Sequence, residues 1–110
     1  CVPAHYGEAF GLYLIEAMAC GVPVIQPHTA AFPEVLAAMD GAPYDPETSH
    51  GFLYHDPNPD SPHALAAALE NALSDRTRLQ EKGMRCHSTV RSQFSIARMA
   101  ENFLNAASGC

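Results

Sequence analysis

Positive charge is scarce in this sequence: 110 residues carry six Lys plus Arg against twelve Asp plus Glu, a formal charge of -6. An acidic chain repels phosphate polymers and anionic membrane surfaces, which argues against nucleic-acid binding. Paired cysteines are missing too. Cys1, Cys20, Cys86 and Cys110 stand far apart with no Cys-x-x-Cys, so no zinc or redox motif is encoded, and free thiols suit a reducing cytoplasm. No long apolar run survives inspection either. The most apolar stretch, Ala9 to Ile25, has Glu16 at its middle and is broken by Gly21-Val22-Pro23, which argues against a spanning helix. No internal repeat, low-complexity tract, interdomain linker or targeting peptide is visible. The length corresponds to one small domain, and a first residue that is Cys rather than Met leads us to expect a piece of a longer protein.

What is present centres on Glu8 to Ile25, where two carboxylates, Glu8 and Glu16, bracket residues that are otherwise apolar or glycine. An ionised carboxylate in such surroundings is costly unless paired. Leu12, Ile15 and Ala19 recur at helical spacing while Leu14 and Met18 fill another face. A helix is therefore expected from Phe10 or Gly11 to Gly21, apolar nearly all round and buried. Val22 to Gln26 reads as a buried strand with Pro23 at its entry, after a strand ending over Cys1 to Pro3. Pro33-Glu34 suits the first turn of a short helix to Met39. Asp40 to His50 has the composition of an irregular surface loop, and Gly51 to Tyr54 that of a brief strand. Ser61 is a candidate N-cap, with Pro62 at N1, for an amphipathic helix to Ser74. Asp75 can cap a helix with Leu79, Met84 and Val90 on its apolar side. Ser95 can cap a last one that buries Ile96, Met99, Ala100, Phe103 and Leu104. Strands alternating with helices predict an α/β fold with a Rossmann-like parallel sheet and flanking helices.

In such a sheet, ligands sit beyond the carboxyl ends of the strands, where loops lead into helix N-termini. The loop from Tyr6 to Gly11 falls there. Gly7 and Gly11 permit close backbone approach, and the first helical amides form an anion site suited to a phosphate or diphosphate. Were both glutamates helical, Glu8 and Glu16 would lie about 12 Å apart along the axis. That is too far for a shared proton but suits two ends of an extended ligand. A carboxylate accepts hydrogen bonds from vicinal hydroxyls on both oxygens, as on a sugar or a ribose. The alternatives stay open at this level: Glu16 can equally pair with Arg76, Arg78, Arg85, Arg91 or Arg98, and Glu8 can be merely solvated. His5, Tyr6 and His28 are candidate pocket residues. His50, His55 and His63, near Asp56 and Asp60, lack the spacing of a metal-binding helix, and neither metal nor cofactor is expected.

The series Glu8-Ala9-Phe10-Gly11-Leu12, three residues, then Glu16-Ala17-Met18-Ala19-x-Gly21-x-Pro23-Val24-Ile25 resembles the two-glutamate motif of the retaining glycosyltransferases of group 1, or family 4. The likeness continues through Pro33-Glu34-Val35, Gly51-Phe52-Leu53, Ala66 to Leu73, and Arg76 to Ser95. It implies the C-terminal, nucleotide-sugar-binding domain of a two-domain GT-B enzyme, of which residues 1–110 would be the later part. It also implies roles. Glu8 would hold the donor sugar and act at the catalytic position. Ala9, Phe10, Gly11 and Leu12 would lie against the sugar and diphosphate, and Glu16 would bind the ribose. The implied reaction is transfer of a sugar, with retention, from a nucleotide-diphosphate donor to a hydroxyl acceptor. The isolated piece is expected to be inactive, since the diphosphate-neutralising Arg and Lys and the acceptor domain would come earlier.

Other readings are a non-catalytic module of the same fold, or a GT-B relative such as a phosphorylase or nucleotide-sugar epimerase. The expected setting is the cytoplasm, with peripheral membrane attachment of the whole enzyme left open. An uncovered sheet edge would drive self-association. One departure stands out: Ala30-Ala31 occupies the place of a glycine pair in the family. Alanine resists positive φ, so a differently shaped loop is expected.

Overall fold

The computed structural model describes residues 9–55, 58 and 61–109, so the strand expected over Cys1 to Pro3 and the loop carrying His5, Tyr6 and Glu8 lie outside the described residues. Within them the order is α1 (Leu12–Ala19), β1 (Ile25–Pro27), α2 (Phe32–Asp40), β2 (Phe52–Tyr54), α3 (His63–Ser74), α4 (Arg76–Gln93) and α5 (Ile96–Ser108). β1 and β2 are parallel, with Ile25 opposite Phe52, Gln26 opposite Leu53 and Pro27 opposite Tyr54. A parallel pair needs a crossover, which α2 supplies. β1 starts three residues later than the Val22 expected from β-branching, because Gly21 to Pro23 are needed to turn the chain out of α1.

Side chains alternate across the short sheet, so both faces must be covered. Val24 joins Leu14, Met18, Phe32, Val35, Leu36, Met39, Cys86 and Val90 in a core beneath α1, α2 and α4. Ile25, Phe52 and Tyr54 face the other way and pack with Ala72, Leu65 and Leu69 of α3. Asp75 and Ser95 cap α4 and α5, accepting from Arg78 N at 2.9 Å and Arg98 N at 3.1 Å. Ser61 is no N-cap. Pro62 takes that position without a side-chain bond, and the Ser61 hydroxyl lies 3.5 Å from His63 N.

Three faces differ from expectation. α1 is not apolar all round to the solvent: Leu14 and Met18 are buried, whereas Leu12 is 68% exposed and Glu16 points outward. α5 buries none of its residues, and Ile96, Met99, Phe103 and Leu104 stand in solvent; its amphipathic pattern holds, but no described element covers its apolar face. On α4, Met84 of the expected apolar side is exposed, and the buried residues are Lys82, Gly83, Cys86 and Val90.

The exchange on α4 reflects what it covers. The segment 41–51 is irregular, as its composition predicts, yet its end is buried at Ser49 and His50. Regular backbone pairing is absent there, so its carbonyls need other donors. Arg78 Nη2 donates to Pro46 O at 2.6 Å, Lys82 Nζ to Glu47 O at 3.3 Å and to Ser49 O, Arg85 Nη1 to Thr48 O at 2.8 Å, and Cys86 Sγ to His50 O at 3.1 Å. These donors recur at helical spacing along one face of α4. Asp45 turns the start of the segment: amides of Thr48 and Glu47 bond its carboxylate and hold its pKa below the usual carboxylate value. His50 is fixed on both ring nitrogens, Nδ1 against Asp40 Oδ1 and Nε2 2.7 Å from Thr89 Oγ1, while its backbone N–H donates to the same Asp40 oxygen at 3.0 Å.

Burial disfavours charge on both buried donors. It pushes the Cys86 thiol from 9.0 up to about 11, and it lowers the Lys82 ammonium below the usual lysine value, helped by Arg78 and Arg85. The two act oppositely on stability. Between pH 9 and 11 the folded chain keeps a Cys86 proton that the unfolded chain has lost, so stability falls as pH rises. Lys82 has the reverse effect, because in alkali below pH 10.5 the unfolded chain binds the extra proton. Urea midpoints from pH 8 to 11 are expected to show a Cys86 contribution on the order of 2 kcal/mol, at 1.36 kcal/mol per pKa unit. In Cys86→Ala the alkaline loss disappears and the opposing Lys82 slope is uncovered.

Candidate functional site

The short Gly21 to Val24 connection folds β1 back along α1, which sets the N-terminus of α1 at the same edge as the carboxyl ends of β1 and β2. That edge is where parallel α/β sheets take ligands. Gly11 caps α1 with φ 80 and ψ 69, a left-handed conformation open to glycine at no steric cost, and its carbonyl accepts from Leu14 N at 2.9 Å. Leu12 therefore presents the first helical amide, and the first turn carries no acidic residue to compete with an anion. Glu16 lies one turn on, roughly 6 Å along the axis and on the same outward face as Leu12. It is exposed, and among the described residues no cation lies within ion-pair distance of it. The arginines that could have paired with it are otherwise engaged where partners are seen: Arg78 with Glu47 at 3.3 Å, Arg98 with Glu101 at 2.9 Å.

Ala9 and Phe10 are exposed before the helix and Gly11 is buried. An apolar cleft of about 470 Å³ opens beside them, lined by Phe10, Leu12, Ile15, Phe94, Ile96 and Met99. Glu8 lies outside the described residues, so the structure brings together five of the six predicted site residues, Ala9 to Leu12 and Glu16.

The loop after β1 completes the edge. His28 N donates to Tyr54 O at 2.8 Å, and the His28 ring stacks on His55, which follows β2, at 5.0 Å between centroids with Tyr44 edge-on at 6.0 Å. This His28–His55 stack was not legible, because the two residues are far apart in sequence and adjacent only through strand register. His50, His55 and His63 do not converge: His50 is locked by Asp40 and Thr89, and His63 begins α3.

At Ala30-Ala31 the backbone adopts, at one of the two positions, the conformation that alanine resists. Ala30 adopts φ 50, the left-handed conformation glycine would supply, while Ala31 stays at φ −78. That conformation carries strain of about 1–2 kcal/mol for a non-glycine residue. Ala30→Gly is accordingly expected to be neutral or to stabilise by up to about 1 kcal/mol, after the entropy that glycine adds to the unfolded chain. Ala31→Gly, which relieves no strain, should destabilise by about 0.4–1 kcal/mol, and the two urea midpoints should shift in opposite directions.

Helices on both faces of a parallel pair, with loops and a helix N-terminus delivered to one edge, define a Rossmann-like α/β fold. The particular family follows from comparison. Residues 1–92 match the family described as glycosyl transferases group 1, and the chain belongs to that family. Its structure is similar to sucrose-phosphate synthase from Thermosynechococcus elongatus, with a TM-score of 0.66 and 28% identity over 99% of this chain. The chain spans 25% of the length of that synthase. No curated protein gives a significant match. Among the described residues no helix is long and apolar enough to cross a membrane, and no group of three or more His, Cys, Asp or Glu is placed to hold a metal ion.

Proposed function

We propose that this chain is the later part of the nucleotide-sugar-binding domain of a retaining glycosyltransferase, and that the intact enzyme moves a sugar from a nucleotide-diphosphate donor to a hydroxyl acceptor. The observation that carries this reading is the pairing of a left-handed Gly11 at the start of α1 with an exposed Glu16, without a described ion-pair partner, one turn further on. The helix amides would meet the diphosphate, and Glu16 would accept hydrogen bonds from the ribose hydroxyls. Glu8, before the helix, would hold the donor sugar at the reacting end. Family membership supports a glycosyltransferase role, and the likeness to a sucrose-phosphate synthase supports a sugar donor and acceptor in general.

Positive charge for the diphosphate and the facing acceptor domain would come from elsewhere in the enzyme, so the 110 residues alone are expected to turn over no donor. The test is calorimetry on the complete enzyme with a panel of nucleotide sugars. Loss of a carboxylate that receives hydrogen bonds is worth about 1.5–3 kcal/mol. Glu16→Ala should thus weaken the preferred donor by about 10- to 100-fold, and unchanged donor affinity would refute the assignment. A complete protein that binds no donor would mark a non-catalytic module instead.

A further inference from the structure

At the amino end of β2, the opposite edge of the sheet from Gly11, three side chains that the proposed transfer does not use stand in one line of hydrogen bonds. Asp40 closes α2, His50 precedes β2 by two residues, and Thr89 lies on α4. Asp40 Oδ1 meets His50 Nδ1, and His50 Nε2 lies 2.7 Å from Thr89 Oγ1. Asp40 and His50 are shielded, whereas Thr89 is partly exposed. The line therefore runs from a buried carboxylate outward to a residue that bears a hydroxyl.

The proton positions follow from the partners. An ionised carboxylate only accepts, so Nδ1 carries the ring proton, Nε2 keeps its lone pair, and the Thr89 O–H donates to it. That hydroxyl had another partner open to it. On a helix, Ser and Thr commonly donate to a carbonyl three or four residues back, and Ser74, Ser92 and Ser108 do so at 2.7, 3.0 and 3.1 Å. Thr89 turns to the imidazole instead. A hydroxyl, an imidazole in hydrogen-bond reach and a carboxylate that orients the imidazole form the arrangement that activates a nucleophile.

We propose that Thr89 Oγ1 is a nucleophile for acyl groups, with His50 as its general base and Asp40 holding that base in the working tautomer. In the step, Thr89 Oγ1 bonds to the carbonyl carbon of an activated ester and its proton passes to His50 Nε2. The C–O bond of the ester breaks with its electron pair on the departing oxygen, which takes the proton from His50. The product is an acyl ester on Thr89, a covalent modification of the chain. It uses none of the residues that would hold the sugar donor and does not depend on the function proposed above.

The test is incubation of the 110-residue chain with p-nitrophenyl acetate, then neutral hydroxylamine to strip acetyl groups from cysteine, then peptide mass spectrometry. Thr29, Thr77 and Ser88 are exposed and have no imidazole partner among the described residues, so they serve as references in the same sample. Thr89 should acetylate about 100-fold faster than these, the lower end of what a positioned base contributes. Thr89→Ser, which keeps a hydroxyl against the same base, should retain that advantage. In Asp40→Asn, with circular dichroism matching the parent, position 89 should slow by about 10-fold or more while Thr77 is unchanged. Acetylation of Thr89 no faster than Thr77, or a Thr89 rate indifferent to a folded Asp40→Asn, would overturn the proposal.

Discussion

Gly83→Ala is expected to destabilise the domain by about 3 kcal/mol or more, at or above the upper end for overpacking a close contact. A Cβ at this position would stand 2.2 Å from Gly21 O and 3.3 Å from Gly21 C. Both are backbone atoms and cannot swing aside as a side chain would, so α1 and α4 must separate. The intrinsic preference of a helix interior runs the other way, favouring alanine over glycine by about 1 kcal/mol, which makes the sign of the result diagnostic. Gly21 gives the internal comparison. Its φ is 76, but a Cβ there would meet Gly83 O at an ordinary 3.6 Å, so Gly21→Ala should cost only the left-handed strain of about 1–2 kcal/mol. Urea denaturation of the two variants should rank them in that order. A Gly83→Ala domain as stable as the parent would mean that the helices do not approach this closely. The contact matters for the proposed function because α1 carries both Gly11 and Glu16, and a helix pushed off α4 takes both with it.

Asp40→Ala should cost about 2–6 kcal/mol, because it leaves two buried donors without an acceptor at about 1–3 kcal/mol each. Asp40 is the last residue of α2, where a carboxylate meets the negative end of the helix dipole, so its place needs a reason. The reason is His50. One Asp40 oxygen accepts from both the His50 backbone N–H and Nδ1, and the pair is shielded, with side-chain exposures of 9% and 11%. Removing the carboxylate strands two donors and withdraws the nearby negative charge that favours the buried Lys82 ammonium. Asp40→Asn, which keeps an acceptor and loses the charge, should fall between the parent and Asp40→Ala in urea midpoint.

How far these features could be read beforehand depends on whether the signal was local. Helix starts at Asp75 and Ser95 were legible because a cap acts within three residues, and the α/β order followed from Gly and Pro punctuation between periodic stretches. The sharp backbone turn at Gly11 could be anticipated from the glycine itself, whereas the outward Glu16 could not, because the apolar residues around it read as a buried helix. The network around 45–50 could not, because its donors lie 32 to 37 residues away on α4. A lysine at position 82 reads as surface until the loop beneath it is known, and Met84, which looked like core, is displaced outward by that same lysine. α5 shows the converse: its apolar pattern was read correctly as a face, but a pattern cannot say whether anything covers it. At Ala30 propensity was overridden outright, since tertiary structure imposes a φ of 50 on a residue that resists it.

The segment between α2 and β2 has one more consequence, in terms of cooperative opening. A stretch without regular structure ordinarily samples open states at little free-energy cost. Here five successive carbonyls, Pro46 to His50, are received by side chains of one helix face, so the stretch can detach only if α4 lifts or all of those donors let go. It belongs to the same opening unit as the helix, irregular in form but slow to exchange. The same attachment occupies Arg78, Lys82 and Arg85, three of the chain's six cations, in holding its own backbone. An anionic ligand at the edge of the sheet would therefore have to be neutralised by charge that these residues do not have to give.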